Sequence, residues 1–275
     1  MLMTISDERM ILDKAHKLLK DSGIKAFPFK IKPVITYLQK ENDLQVVKYS
    51  TVADGMDITL KTVGSMVGSD EATLVYHGPD SPTFIYYKDT DIPKERIRWN
   101  LCHEVAHFCC GHHLIQYRLK QEGLEMSKTA AARIEAEANT FTRNMHAPLE
   151  LVFAFMEYYN LYDTVGVFSI LRCIFRLSIE AAYYYTGQIF DRRTQQLVIQ
   201  GGITDYDEFL KEFTGMFDRY NFGPIVYRYQ QEYDSFKRHL DRRTTLSYRK
   251  PYQESFASIV ERVAQQEIES LNLNY

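Results

Sequence analysis

A chain of 275 residues, 45% hydrophobic and 13% aromatic, carries enough apolar material for one good-sized core with room for an appended module. Its net charge of -3 excludes a molecule built globally for nucleic acid, and no run of about 18 apolar residues marks a membrane span. The start, MLMTISDERM, reaches acidic residues too early for a signal peptide, and Cys102, Cys109, Cys110 and Cys173 lack zinc-knuckle or disulfide spacing, so a cytoplasmic chain with reduced thiols is expected.

In chain order, SDERMILDKAHKLLKDSG reads as an amphipathic helix, with Ser6 as its cap, Ile11, Leu12, Ala15, Leu18 and Leu19 as its stripe, and Gly23 at its end. KIKPVITYLQKEN predicts a shorter helix with Pro33 in the first turn. From Leu44 to Lys88 the texture turns to short β-branched and aromatic runs, LQVVKYSTV, ATLVYHG and TFIYYKD, which predict a small antiparallel sheet. The stretch IPKERIRWNLCHEVAHFCCGHHLIQYRL follows, with Ile97, Leu101, Val105 and Phe108 at helical spacing. On that helix His103 and His107 share one face.

Residues four apart on a helix stack one turn above the other, so two imidazoles can address one ion from a rigid backbone. Glu104, between them in an H-E-x-x-H pattern, is placed to take a proton from water. The competing explanation is a histidine-rich helix end on a solvated face. The next helix, KTAAARIEAEANTFTRNMHAP, offers Glu135 as a third ligand for a Zn2+ site with an open fourth position, and Asn139, one turn on, as an outer support for an imidazole. Glu137 is the rival ligand, expected to face solvent because it points about 160° from Asn139 around the helix.

IYYKDTDIPKERIRWNLCHEVAHFCCGHH followed by EAEANTFTRNMHAP resembles the ImmA/IrrE family of zinc metallopeptidases, more weakly from about Asp13 to Gly187. The resemblance implies an α+β zincin-like domain over residues 1–190, with zinc ligands His103, His107 and Glu135 and Glu104 as general base; beyond it, the periodicity of residues 191–275 predicts a helical C-terminal extension of unknown role. It further implies a cytoplasmic metalloendopeptidase whose protein substrate is a helix-turn-helix repressor of a mobile-element or stress-response switch. A non-catalytic zinc regulator that binds protein or DNA is the alternative. Trp99, Cys102 and the TRNMHAP segment depart from the family pattern without removing a ligand.

Remaining histidines need separate readings. His113 stands at the third-ligand spacing of the metzincin pattern, but Gly111 is displaced by one position, so the helix is expected to continue and His112 and His113 to cap it or line the cleft. His16, His77 and His239 read as surface residues, and His146 lies too far along its helix from Glu135 to share an ion. The strand TFIYY is expected to offer a free edge to an extended substrate, with Tyr86, Tyr87 and His113 as cleft candidates.

Farther on, TDYDEFLKEFTGMFDRYN predicts a helix capped by Thr204, and SFASIVERVAQQEIESL predicts a closing helix. The basic, tyrosine-bearing stretch 227–250 makes nucleic-acid contact conceivable, but a solvated helix with inward tyrosines is the plainer reading.

Overall fold

The computed structural model describes residues 3–199, 206–220 and 222–247. Helix α1 (Ile5–Asp21) is capped by Thr4 and not by Ser6: its hydroxyl accepts from the Asp7 amide at 3.1 Å, and the Asp7 carboxylate accepts from the Thr4 amide at 2.9 Å. All five expected stripe residues are buried. Helix α2 (Ile31–Glu41) carries Pro33 in its first turn, where a missing amide hydrogen costs nothing.

The β-like texture between Leu44 and Lys88 is only partly strand. β1 (Leu44–Lys48) passes straight into α3 (Tyr49–Met56), and α4 (Leu60–Val67) comes before β2 (Ala72–Val75) and β3 (Thr83–Tyr87). Val52, Val63 and Val67 pack with Tyr49 and Ala53 in a small helical cluster, so tertiary contacts override the β preference of valine. The sheet is mixed, not antiparallel: its order is β1-β3-β2, with β1 parallel and β2 antiparallel to β3.

That order corrects the expectation for TFIYY. As β3 it is the central strand, paired on both sides, and the edges fall to β1 and β2. The Lys88 amide donates to the Glu71 carbonyl at 2.7 Å. Continued along the antiparallel ladder, this register turns Thr73 and Val75 towards β3 and the backbone groups of Ala72 and Leu74 outwards.

Helix α5 (Lys94–Cys109) packs on β2 and β3. Its first turns are fixed to the segment before β2: Arg96 grips both oxygens of Glu71 at 2.8 and 2.7 Å, and Asn100 donates to the same carboxylate at 2.8 Å. The expected continuation past Gly111 does not occur. Gly111 adopts φ +74°, and α6 (His112–Gln121) starts there in a new direction.

Helix α7 (Lys128–His146), capped by Ser127, lies against both α1 and α5 and buries Ile134, Ala138, Phe141 and Met145. Helices α8 (Leu149–Tyr159), α9 (Thr164–Cys173) and α10 (Ile179–Ile189) extend the core, in which the fully buried Phe155 ring meets those of Phe175 and Phe217. α11 (Arg192–Ile199) and α12 (Tyr206–Lys211) follow. The helix expected after Thr204 divides into α12 and a 3-10 helix at Thr214–Arg219, with Phe209, Phe213 and Met216 buried; Thr204 lies outside the described residues.

Helix α13 covers Phe222–Ser247, while Tyr248 and the expected closing helix lie outside the described residues. The chain divides into two compact units, Met1–Gln230 and Gln231–Tyr275. No helix among the described residues is long and apolar enough to cross a membrane.

Candidate metal centre

Two helices meet to form the site. His103 and His107, one turn apart on α5, direct their Nε2 atoms to a point 3.1 Å apart. Glu135 reaches the same point from α7, with Oε2 3.3 Å from His103 Nε2 and Oε1 3.5 Å from His107 Nε2. A tetrahedral ion about 2.1 Å from each of three donors would hold those donors about 3.4 Å apart, and the observed set fits that spacing. Two imidazole Nε2 atoms this close need a shared proton or a cation between them, because their lone pairs otherwise repel.

The local electrostatics suit a ligand set. Burial, with His103 adding to it, pushes His107 down to about 4 against the opposing charge of Glu135, so its ring is neutral at ordinary pH, as coordination requires. Hydrogen bonding from His103 holds the Glu135 carboxyl below its usual range against desolvation.

Glu104 sits beside the donors and not among them. Burial pushes its carboxyl up to about 7, while the His103 ring and a hydrogen bond from the Leu74 amide pull the other way. Since the Leu74 backbone faces away from β3, the edge strand and the carboxylate meet directly. Tyr49, buried and donating to the Ser69 carbonyl at 2.7 Å, is a further neighbour of Glu104.

Behind the donors stands a residue other than the expected Asn139. Asn139 is exposed and makes no side-chain hydrogen bond among the described residues. His112 takes that place, its Nδ1 3.0 Å from His107 Nδ1. Nor does Glu137 face solvent: it is part-buried, 3.1 Å from His112 Nε2, and it accepts from Arg133 Nε at 2.9 Å. Sequence spacing carries a hint of this pair only when the turn at Gly111 is known.

The remaining candidates scatter. His113 is buried, stacked on Phe108 and edge-on to Tyr76, beside the backbone of His107. Tyr86 packs into the α3–α4 cluster, and no hydrogen bond or ring contact among the described residues joins Tyr87 to the donors. His146 stacks on Trp99 at 5.3 Å, filling one space between α5 and α7. His77 and His239 are exposed, whereas His16 is buried. All four cysteines are free, and burial pushes Cys102 and Cys109 up to about 12 and Cys110 up to about 11, which keeps those thiols protonated.

No protein-family model, curated protein or solved structure matches the chain.

Proposed function

We propose that the chain is a zinc-dependent endopeptidase whose ion is held by His103 Nε2, His107 Nε2 and the Glu135 carboxylate. The observation that carries this reading is the convergence of those three donors at tetrahedral spacing beside a second carboxylate, Glu104, that is not one of them. Resemblance of the motifs to the ImmA/IrrE family points the same way. Zinc bound there would supply Lewis acidity and a water that ionises near neutral pH.

The chain's own residues do the rest. Glu104 accepts a proton from the attacking water at its carboxylate and delivers it to the leaving amine. The Leu74 amide favours the charged form of that carboxylate. An extended peptide pairing with the outward backbone groups of Ala72 and the Leu74 carbonyl of β2 runs past Glu104, the Leu74 amide being taken by that carboxylate. The substrate proposed is a cytoplasmic helix-turn-helix repressor, which such a strand edge would engage through an extended loop.

The test uses the full chain. Wild-type protein is expected to hold about one zinc, and His103→Ala or His107→Ala to lose it. Glu104→Gln keeps size and shape but cannot take the proton, so zinc is retained while cleavage of the repressor encoded nearest the gene falls roughly a hundredfold or more. Wild-type cleavage by Glu104→Gln overturns the mechanism, and unchanged zinc content in both histidine variants overturns the site.

A further inference from the structure

Behind His107, on the side away from Glu135, four side chains form a continuous polar line. His107 Nδ1 lies 3.0 Å from His112 Nδ1, and His112 Nε2 lies 3.1 Å from Glu137 Oε2. Glu137 Oε1 accepts from Arg133 Nε at 2.9 Å, and Arg133 Nη2 reaches Asp7 Oδ2 of α1 at 3.3 Å. His112 is 1% exposed, so both its ring nitrogens must find partners within the protein, and both do.

With a neutral His112, one proton arrangement satisfies the whole line. Glu137, paired with Arg133, accepts hydrogen bonds and cannot give one. The proton of neutral His112 therefore sits on Nε2, which leaves its Nδ1 as an acceptor. His107 must then donate from Nδ1, and its Nε2 is left with a bare lone pair directed at His103 and Glu135. His103 accommodates this with a proton on its Nε2, between the Glu135 carboxylate and the His107 lone pair. A solvent-exposed neutral histidine side chain favours the Nε2–H tautomer, so the line of partners selects the minority form for His107.

We propose that His112 and Glu137 are positioning residues that hold His107 in its Nδ1–H tautomer and so prepare Nε2 to take a metal ion before the ion arrives. The inference rests on the zinc reading for its purpose, while the tautomer itself can be read without metal. Neither residue touches the reacting atoms. Their action passes through His107, as outer hydrogen-bond partners of metal-bound imidazoles do elsewhere.

Long-range proton–nitrogen spectra of the metal-free, full-length protein report the tautomer of each ring, and competition with a chromophoric chelator gives the zinc affinity. Wild-type His107 is expected as the Nδ1–H form. His112→Phe keeps a ring in the space but offers no acceptor; His107 should revert to the Nε2–H form and zinc affinity should fall roughly ten- to a hundredfold. Glu137→Gln has a single oxygen to serve both Arg133 and His112. With that oxygen kept by Arg133, its amide group faces His112, reverses the donor order, and shifts His107 in the same direction. Should His112→Phe fail to fold, the part-buried Glu137→Gln carries the test alone.

An Nε2–H tautomer for wild-type His107, or zinc affinity and tautomer unmoved in the variant, overturns the proposal. Failure of the zinc reading looks different: the tautomers shift as stated, yet wild-type protein binds no zinc. That result overturns the function and with it the purpose given to the line of partners.

Discussion

Glu150 on α8 and His16 on α1 are buried against each other, with Nε2 and Oε2 3.3 Å apart but no well-directed hydrogen bond between them. Burial pushes the Glu150 carboxyl up from 4.5 to about 7 and His16 down from 6.5 to about 3. The folded chain therefore keeps a proton on Glu150 that the unfolded chain releases near pH 4.5, and stability falls as pH rises through that interval. At ~1.4 kcal/mol for each pH unit, the gap from 4.5 to about 7 amounts to about 3 kcal/mol, fully felt above pH 7. His16 works in the opposite sense. It stays neutral when folded and is protonated below about 6.5 when unfolded, so its share is lost as pH falls. Between about 4.5 and 6.5 the two effects cancel: the folded state holds the proton on Glu150 and the unfolded state holds it on His16. Glu150→Gln mimics the protonated acid at every pH. Urea unfolding of both proteins from about pH 4 to about pH 9 should show the variant gaining about 3 kcal/mol on wild type across the range. Curves that stay parallel would refute the burial penalty on this carboxylate.

Two further outcomes follow from the core and the ligand set. Phe155→Ala empties a fully buried position beside Phe175 and Phe217, and should lower the unfolding free energy by about 3–5 kcal/mol in denaturant titration. Glu135→Gln removes a charged donor whose side chain is 57% exposed, so metal-free stability should barely change. Zinc affinity, measured by chelator competition, should fall by more than the roughly ten- to hundredfold typical of losing an outer partner; an equal fall in stability would assign Glu135 to the fold instead.

The donors were legible in the sequence because their geometry is local. Four residues on one helix fix His103 against His107, and the apolar stripe of the next helix fixes which way Glu135 looks. Leu74 was not legible, because its outward amide depends on β2 and not β3 being the edge, and strand order is set by contacts distant in sequence. Val52, the last residue of the run LQVVKYSTV, misled for the same reason: valine favours strands in isolation, but here a helical cluster with Tyr49 claims it. His16 read as a surface residue because its partner, Glu150, belongs to a helix far along the chain.

His112 escaped for a different reason, which gives the last prediction. Were α5 to continue unbroken, His112 would stand five residues past His107, about 140° around the cylinder and about 7.5 Å along it, facing away from the imidazole it now meets. The turn at Gly111, with φ +74°, swings it back to 3.0 Å. A Cβ added at Gly111 meets nothing within 4 Å, so Gly111→Ala bears only the strain of a left-handed backbone, about 1 kcal/mol. That strain is present in the metal-free and zinc-bound folded states alike and drops out of the binding equilibrium. Denaturant unfolding should therefore lose about 1 kcal/mol while zinc affinity, by chelator competition, stays within a few-fold of wild type. The opposite pattern, stability kept and affinity lost tenfold or more, would mean that the joint relaxes into one straight helix and carries His112 away from His107. In that case the left-handed residue, and not the buried His112–Glu137 pair, would be what holds the donor side of the site together.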